Sequence, residues 1–311
     1  MPSLYRPIVK MALTLTLVFT PPAFAVDLPG PLVETAWLSA NLNSKDLVVV
    51  DVRLKDDITT LGFVPGARWW DWSEVRVDRS VDGVELESVV PTKAQFEALM
   101  AALNITPSST VVIVPLSHTP SSFTMGTRAY WTLKYFGHDK VALLNGGMAK
   151  WTAEKKTSNF VPQTVAQHSV YRVKTVHQEL LAKTADVMAA VDKRNVQIVD
   201  ARTPEFYLGQ KKKDYVYAKG HISGAKIFAN TEVQDKQTRA FKSTAALKAQ
   251  LAQNGIDVDQ PMITYCDSGH LSTGLWFIAH EMMGNKNVRL YDGSMHEWTK
   301  DPKRPVVTGQ E

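Results

Sequence analysis

The chain of 311 residues contains the same segment pattern twice, about 150 residues apart. Leu47-Val48-Val49-Val50-Asp51-Val52-Arg53 is answered by Val196-Gln197-Ile198-Val199-Asp200-Ala201-Arg202. Gly62-Phe63-Val64-Pro65-Gly66-Ala67 is answered by Gly220-His221-Ile222-Ser223-Gly224-Ala225, and Val111-Val112-Ile113-Val114 by Met262-Ile263-Thr264-Tyr265. Val141 to Gly147 with Trp151 is answered by Val288 to Gly293 with Trp298. Four matched blocks in one order require two copies of one domain, and any fold proposed for one half must also suit the other. A chain of this length accommodates two units of ordinary size.

Within each half the apolar runs do not alternate with polar residues, the pattern of strands buried on both faces of a parallel sheet. Helical spacing lies between them, at Phe96 to Leu103 and around Leu247 to Leu251. Arg128 to Phe136 and Thr273 to Met283 follow the third matched strand and end at Gly137 and Gly284, where helix-terminating glycines belong. Strands alternating with helices predict an α/β fold, each half a mostly parallel sheet flanked by helices. The expected division is an N-terminal domain over 26–155, an aperiodic linker over 156–170 and a C-terminal domain over 171–311. Lys211-Lys212-Lys213 falls in an insertion of the second half and reads as a solvated loop.

Residues 1–25 do not fit this pattern. Arg6 and Lys10 precede an apolar run, Met11 to Phe19, and Pro21-Pro22 break it before Ala23-Phe24-Ala25. A basic start, a short apolar stretch and an A-x-A end predict a secretory signal cleaved after Ala25, hence a periplasmic or secreted protein beginning at Val26. Loss of Arg6 and Lys10, with no acid, takes the formal charge from +4 to +2. That modest charge, without a long basic tract, argues against nucleic acid as a partner, and no further apolar segment predicts membrane association after cleavage.

Exported proteins commonly use cysteines in pairs, but this chain has only Cys266. Cys266 is therefore either a leftover buried thiol or a reactive one. Its position favours reactivity. It follows a predicted buried strand directly and opens the connection Cys266-Asp267-Ser268-Gly269-His270-Leu271, with a helix expected from about Ser272. Ligands of parallel α/β sheets bind beyond the carboxyl ends of the strands. A tight turn there aims successive N–H groups inward, a field that stabilises a thiolate nucleophile. Gly269 supplies the backbone freedom such a turn needs. The turn is expected to be exposed, so that Cys266→Ser should cost little stability.

At these residues the sequence resembles the tandem-domain rhodanese family of thiosulfate and 3-mercaptopyruvate sulfurtransferases, as an exported bacterial member. The resemblance spans nearly the whole mature chain. It rests on Asp200-Ala201-Arg202, Gly220-His221-Ile222-Ser223-Gly224-Ala225, the Cys-x-x-Gly loop, and Tyr291-Asp292-Gly293-Ser294 with Glu297-Trp298. The N-terminal half has Pro115 where the Cys would stand, as in tandem members whose second domain alone is catalytic. It implies two tandem rhodanese-like domains and a Cys266 persulfide, formed from a small sulfane-sulfur donor such as thiosulfate and passed to cyanide or a thiol, with a protein acceptor as a further option. It implies no metal and no organic cofactor. Substrate-binding roles are implied for Arg202, Asp267, Ser268, Gly269, His270, Leu271 and Ser272, with the stretch from Asp267 to Ser272 forming an N–H cradle.

The departures bear on the donor. Thiosulfate-using relatives carry basic residues after the Cys, where this chain has Asp267 and Ser268, and often an Arg where it has Phe206. If the Asp267 carboxylate faces the mouth of the loop, it repels a dianionic donor. Mercaptopyruvate-using relatives draw a His from the N-terminal domain at the place of Phe63. Thiosulfate is the expected donor; the alternatives are 3-mercaptopyruvate, or a non-catalytic sulfur carrier or oxyanion-binding protein.

Several residues admit a structural reading. Arg202 can serve the donor or pair with a buried carboxylate, His270 can meet the substrate or solvent, and His221 reads as packing. Trp131, Trp151, Trp276 and Trp298 read as core, as do Trp69, Trp70 and Trp72, unless some line a cleft between the domains. His280-Glu281 and His296-Glu297 lack the second His of a zinc-protease helix, with Gly284 and Lys300 in its place. Ser272 stands where a cysteine phosphatase needs Arg.

Overall fold

A computed structural model describes residues 26–310, so the expected export signal, residues 1–25, lies outside the described residues. The N-terminal half contributes β1 (Leu32–Val33), β2 (Leu47–Arg53), β3 (Arg68–Asp71), β4 (Val77–Val81), β5 (Val84–Val89), β6 (Thr110–Pro115) and β7 (Val141–Leu144). Five of them form an all-parallel sheet in the order β1-β7-β6-β2-β3, while β4 and β5 pair antiparallel as a separate hairpin. The C-terminal half contributes β8 (Leu181–Ala182), β9 (Gln197–Asp200), β10 (His221–Ile222), β11 (Lys226–Ile227), β12 (Met262–Tyr265), β13 (Val288–Tyr291) and β14 (Val306–Val307). Its main sheet runs β11-β9-β12-β13-β8, again all parallel. Replacing each strand by its repeat partner converts one order into the other, so the duplication read from the four blocks is a duplication of topology.

The central strands are buried because they are aliphatic on both faces. Every residue of β6 and β12 is buried, and tight side-chain packing on each side of the sheet follows. Trp70, Trp131, Trp151, Trp276 and Trp298 are all core residues. Among the described residues no helix is long and apolar enough to cross a membrane.

The helix after β6 runs Pro120–Tyr135, eight residues earlier than the periodicity from Arg128 indicates. Its start carries a Pro in the first turn and a capping box between Thr119 and Ser122. The polar run Ser121-Ser122-Phe123-Thr124 hides this turn from a hydrophobic pattern, yet 13 of the helix's 16 residues are buried. Both sides are covered because the helix lies between the domains. One side rests on its own sheet, where Gly126 permits close approach: a Cβ there would stand 2.7 Å from Leu143 Cδ1 and 2.9 Å from Pro115 Cγ. The other side meets the matching helix Ser272–Trp276 of the second domain, with Thr127 Oγ1 and Thr273 Oγ1 2.8 Å apart. That second helix continues as a π-helical stretch, Phe277–Met282, before Gly284 turns the chain in the left-handed region.

One apolar cluster runs from Val50 and Ile113 through Phe123, Tyr130 and Trp131 to Leu275, Trp276 and Phe277, joining the two halves into one core. The segment 156–170 runs along the N-terminal domain, with Asn159 bridged to Phe63 and Gln163 N–H donating to Ala67 O at 2.7 Å. Gly126→Val forces two γ-carbons into the Leu143 and Pro115 contacts; a loss of about 2 kcal/mol is expected from such overpacking, read as a lower urea midpoint.

Candidate active site

Cys266 stands directly beyond β12, at the carboxyl end of the central strand. The connection to the helix at Ser272 closes on itself through one hydroxyl. Ser294 Oγ accepts from the N–H of Cys266 at 3.1 Å and of Gly269 at 3.0 Å, and donates to Tyr291 O at 2.8 Å. Ser294 holds φ at +50°, a left-handed backbone that costs a non-glycine residue of order 1 kcal/mol. Its two accepted hydrogen bonds offset that strain. Gly269 has φ +66°, and a Cβ there would lie 2.5 Å from Asp292 Oδ1 and 2.6 Å from Asp292 O. No side chain fits at that point.

The N–H groups of Asp267, Ser268, His270, Leu271 and Ser272 have no acceptor among the described residues. The Gly269 N–H, expected in the same cradle, is instead taken by Ser294. Ser272 Oγ donates toward Cys266 Sγ at 3.6 Å. The expectation of an exposed turn is corrected here: Cys266 is 1% exposed, because the N-terminal domain and the insertion of the second half both cover its loop.

Arg202 makes the structural pair. Its Nε and Nη2 bind the Asp200 carboxylate, the latter at 2.6 Å, and Nη2 also donates to Gly220 O at 2.8 Å. Arg53 makes the same contacts in the copy that has no cysteine, to Asp51 at 2.5 Å and to Gly62 O at 2.8 Å. A contact set shared by both copies is scaffold, so of the two readings of Arg202 the contacts are those of the pair with a buried carboxylate, supporting the loop from behind. Its remaining nitrogen, Nη1, reaches Asp267 Oδ1 at 3.3 Å. Asp267 is buried against Arg202, so the condition for repelling a dianionic donor, a carboxylate at the mouth of the loop, is not met. Burial pushes its carboxyl above the usual range, opposed by Arg202 and reinforced by Asp200.

Sequence reasoning missed the residues that arrive from across the domain boundary. Arg128, fully buried, donates from Nη1 to Gly269 O at 2.8 Å and pairs with Asp292. The other Asp292 oxygen accepts Val90 N–H at 2.7 Å. Arg76 Nη1 lies 3.3 Å from Ser268 Oγ, and its guanidinium lies over the Trp72 ring, 4.4 Å from the centroid. His270 turns away from solvent, with Nε2 3.2 Å from Thr124 Oγ1 and its ring 4.5 Å from that of Trp72. Burial, then Arg76 and Arg128, hold its pKa well below the ordinary histidine range, so it is neutral at physiological pH. Tyr215, two residues past the lysine run, brings its hydroxyl within 3.5 Å of Ser268 Oγ. That insertion reaches the site as well as solvent. Except for Arg76 on Trp72, four positions away, these contacts leave no local signal, because they join residues far apart in the chain.

The remaining singled-out residues lie in the scaffold. His221 stacks on Tyr207 at 3.7 Å, Phe63 is buried beneath Arg53 at 4.0 Å, and Phe206 lies under Lys213 at 5.7 Å. Among the described residues no three His, Cys, Asp or Glu side chains are grouped to hold a metal ion.

A family profile for the rhodanese-like domain matches the chain twice, over residues 34–154 and 183–301. The chain belongs to the rhodanese-like family. A Haloferax volcanii relative named "Putative thiosulfate sulfurtransferase" is 32% identical over 290 residues, covering 89% of this chain and 96% of that one. The thiosulfate sulfurtransferase of Corynebacterium glutamicum is 29% identical over 293 residues, covering 91% and 92%. The SseA structure from Escherichia coli, described with the fold and mechanism of 3-mercaptopyruvate sulfotransferases, superimposes with a TM-score of 0.72 at 23% identity. It covers 85% of this chain and 98% of that one.

Within this rhodanese-like pair, the hydroxyl at 294 separates the copies. The matching residue is Gly147, also left-handed at φ +53°. Ser294→Ala leaves the N–H groups of Cys266 and Gly269 buried without an acceptor, and a stability loss of about 1–3 kcal/mol is expected, measured by urea unfolding. Slower alkylation or faster alkylation of Cys266 alone, with the urea midpoint unchanged, would contradict it.

Proposed function

We propose that this protein is a sulfurtransferase that takes sulfane sulfur from a donor of the thiosulfate type onto Cys266 and passes it to cyanide or a small thiol. The observation that carries this reading is the Cys266 loop, with five N–H groups lacking acceptors and Ser272 Oγ 3.6 Å from Sγ. Such a loop stabilises negative charge on the sulfur and on the persulfide that replaces it.

The chemistry needs no cofactor. The Cys266 thiolate attacks the outer sulfur of thiosulfate; the Cys S–S bond forms, the donor S–S bond breaks, and its electron pair leaves with sulfite. Cyanide then attacks the terminal persulfide sulfur, giving thiocyanate and returning the thiolate. Charge is conserved in both steps. Names of relatives that are thiosulfate sulfurtransferases support this donor class. A donor that relies on a histidine at position 63 is disfavoured, since Phe63 is packed in the N-terminal core. The carrier alternative drew its support from the missing loop cations, and the two arginines from the N-terminal domain weaken it.

Export belongs to the same proposal, on the strength of Arg6, Lys10, the apolar run and Ala23-Phe24-Ala25. N-terminal sequencing of periplasmic protein is expected to begin at Val26; full-length chain in that fraction would count against it.

The mature protein incubated with thiosulfate is expected to gain the mass of one sulfur, lost on adding cyanide as thiocyanate appears. Mercaptopyruvate is expected to load it less efficiently. Cys266→Ser should gain nothing while still unfolding cooperatively, and a Ser variant that acquires a labile sulfur would sink the assignment.

A further inference from the structure

We propose that Arg76, a residue of the domain without a cysteine, binds the anionic end of the sulfur donor and holds it against Cys266. This rests on the sulfurtransferase reading and adds to it the group that selects the donor by charge. Arg76 is largely withdrawn from water onto the Trp72 ring, yet among the described residues no carboxylate lies within ion-pair distance of it. Its Nε is buried with no hydrogen-bond partner, and Nη1 has only Ser268 Oγ. A guanidinium in such a place normally has a counter-ion, since an uncompensated buried charge is strongly unfavourable.

Burial, then Arg128, lowers its pKa to about 10, while Cys266, Tyr215 and Asp292 act in the opposite direction. It therefore keeps its charge at neutral pH. Of the other nearby cations, Arg202 is bound by Asp200, Asp267 and Gly220 O, and Arg128 has its charge paired with Asp292 through Nη1, although its Nε and Nη2 are buried without a hydrogen-bond partner; Arg76 alone of the three has no carboxylate partner among the described residues. A cavity lined by Trp72, Ser73, Arg76, Val77, Asp78 and Ser88 opens Arg76 to the surface on the N-terminal domain, and the Cys266 loop, met by Arg76 at Ser268, lies outside that lining. The acid in that lining, Asp78, accepts from Ser88 N–H at 2.8 Å.

The planar fork of an arginine suits two oxygens of a sulfonate-like or carboxylate group. In the donor step the electron pair of the breaking S–S bond leaves with sulfite, so Arg76 meets charge on the ground-state donor and on its leaving group. The cations that thiosulfate-using relatives carry within the loop are supplied here from the opposite domain.

Arg76→Gln and Arg76→Lys test this, with thermal unfolding confirming that each is folded. In Arg76→Gln the KM for thiosulfate is expected to rise about 10- to 100-fold, the worth of one or two charge-assisted hydrogen bonds. Arg76→Lys should recover part of it, and sulfite should inhibit Arg76→Gln more weakly. Alkylation separates charge recognition from a general effect on the thiol. The ratio of Cys266 alkylation rates with iodoacetate and iodoacetamide should fall several-fold in Arg76→Gln, by loss of attraction for the one charged reagent. An unchanged ratio with unchanged KM overturns the proposal, as does an equal slowing of both reagents. The ratio is readable in wild type even if Cys266 accepts no sulfur, so the two readings fail separately.

Discussion

The guanidinium of Arg128 is the point on which the arrangement turns. It leaves the N-terminal domain, crosses the boundary, and binds both the carbonyl of Gly269 and the carboxylate of Asp292. Asp292 in turn takes Val90 N–H from the N-terminal domain, so each domain holds a charged group of the other. The shape of the Cys266 loop is therefore a property of the pair. A buried pair of this kind need not add stability over an apolar contact, but removing one partner leaves a charge uncompensated. The long helix Pro120–Tyr135 carries Arg128 to this place, and Gly126 lets it lie close enough to its own sheet to do so.

The two copies share a scaffold and differ in what stands on it. Asp51-Arg53-Gly62 and Asp200-Arg202-Gly220 make the same forked contacts. Both copies hold a left-handed residue after the last central strand, Gly147 in one and Ser294 in the other. The first copy has only a backbone turn there. The second has a hydroxyl that gathers two N–H groups of the Cys266 loop. The copy without a cysteine has not become inert: it supplies Arg76, Trp72 and Thr124 to the other's loop.

Most of the fold was legible because parallel-sheet strands are written locally. The runs Val141–Leu144, Met262–Tyr265 and Val288–Tyr291 coincide with β7, β12 and β13. Ser121 to Thr127 were not legible as helix, since their burial is created by a second domain and not by periodicity. Cys266 stood out through its place after a strand. Arg76 did not, because one arginine between Val75 and Val77 has no pattern until the hairpin and Trp72 bring it to Ser268. The direction of the Asp267 side chain was left open for a related reason: its partner Arg202 lies 65 positions away.

Cys266 has 1% exposure, beneath Ser268, with Arg76 and Tyr215 both reaching that serine. A covered thiol of this kind acts as a sieve. A cysteine of another folded protein cannot approach it in this arrangement of the two domains. The one thiol of a lone-cysteine protein is thereby shielded from forming dimers through a disulfide.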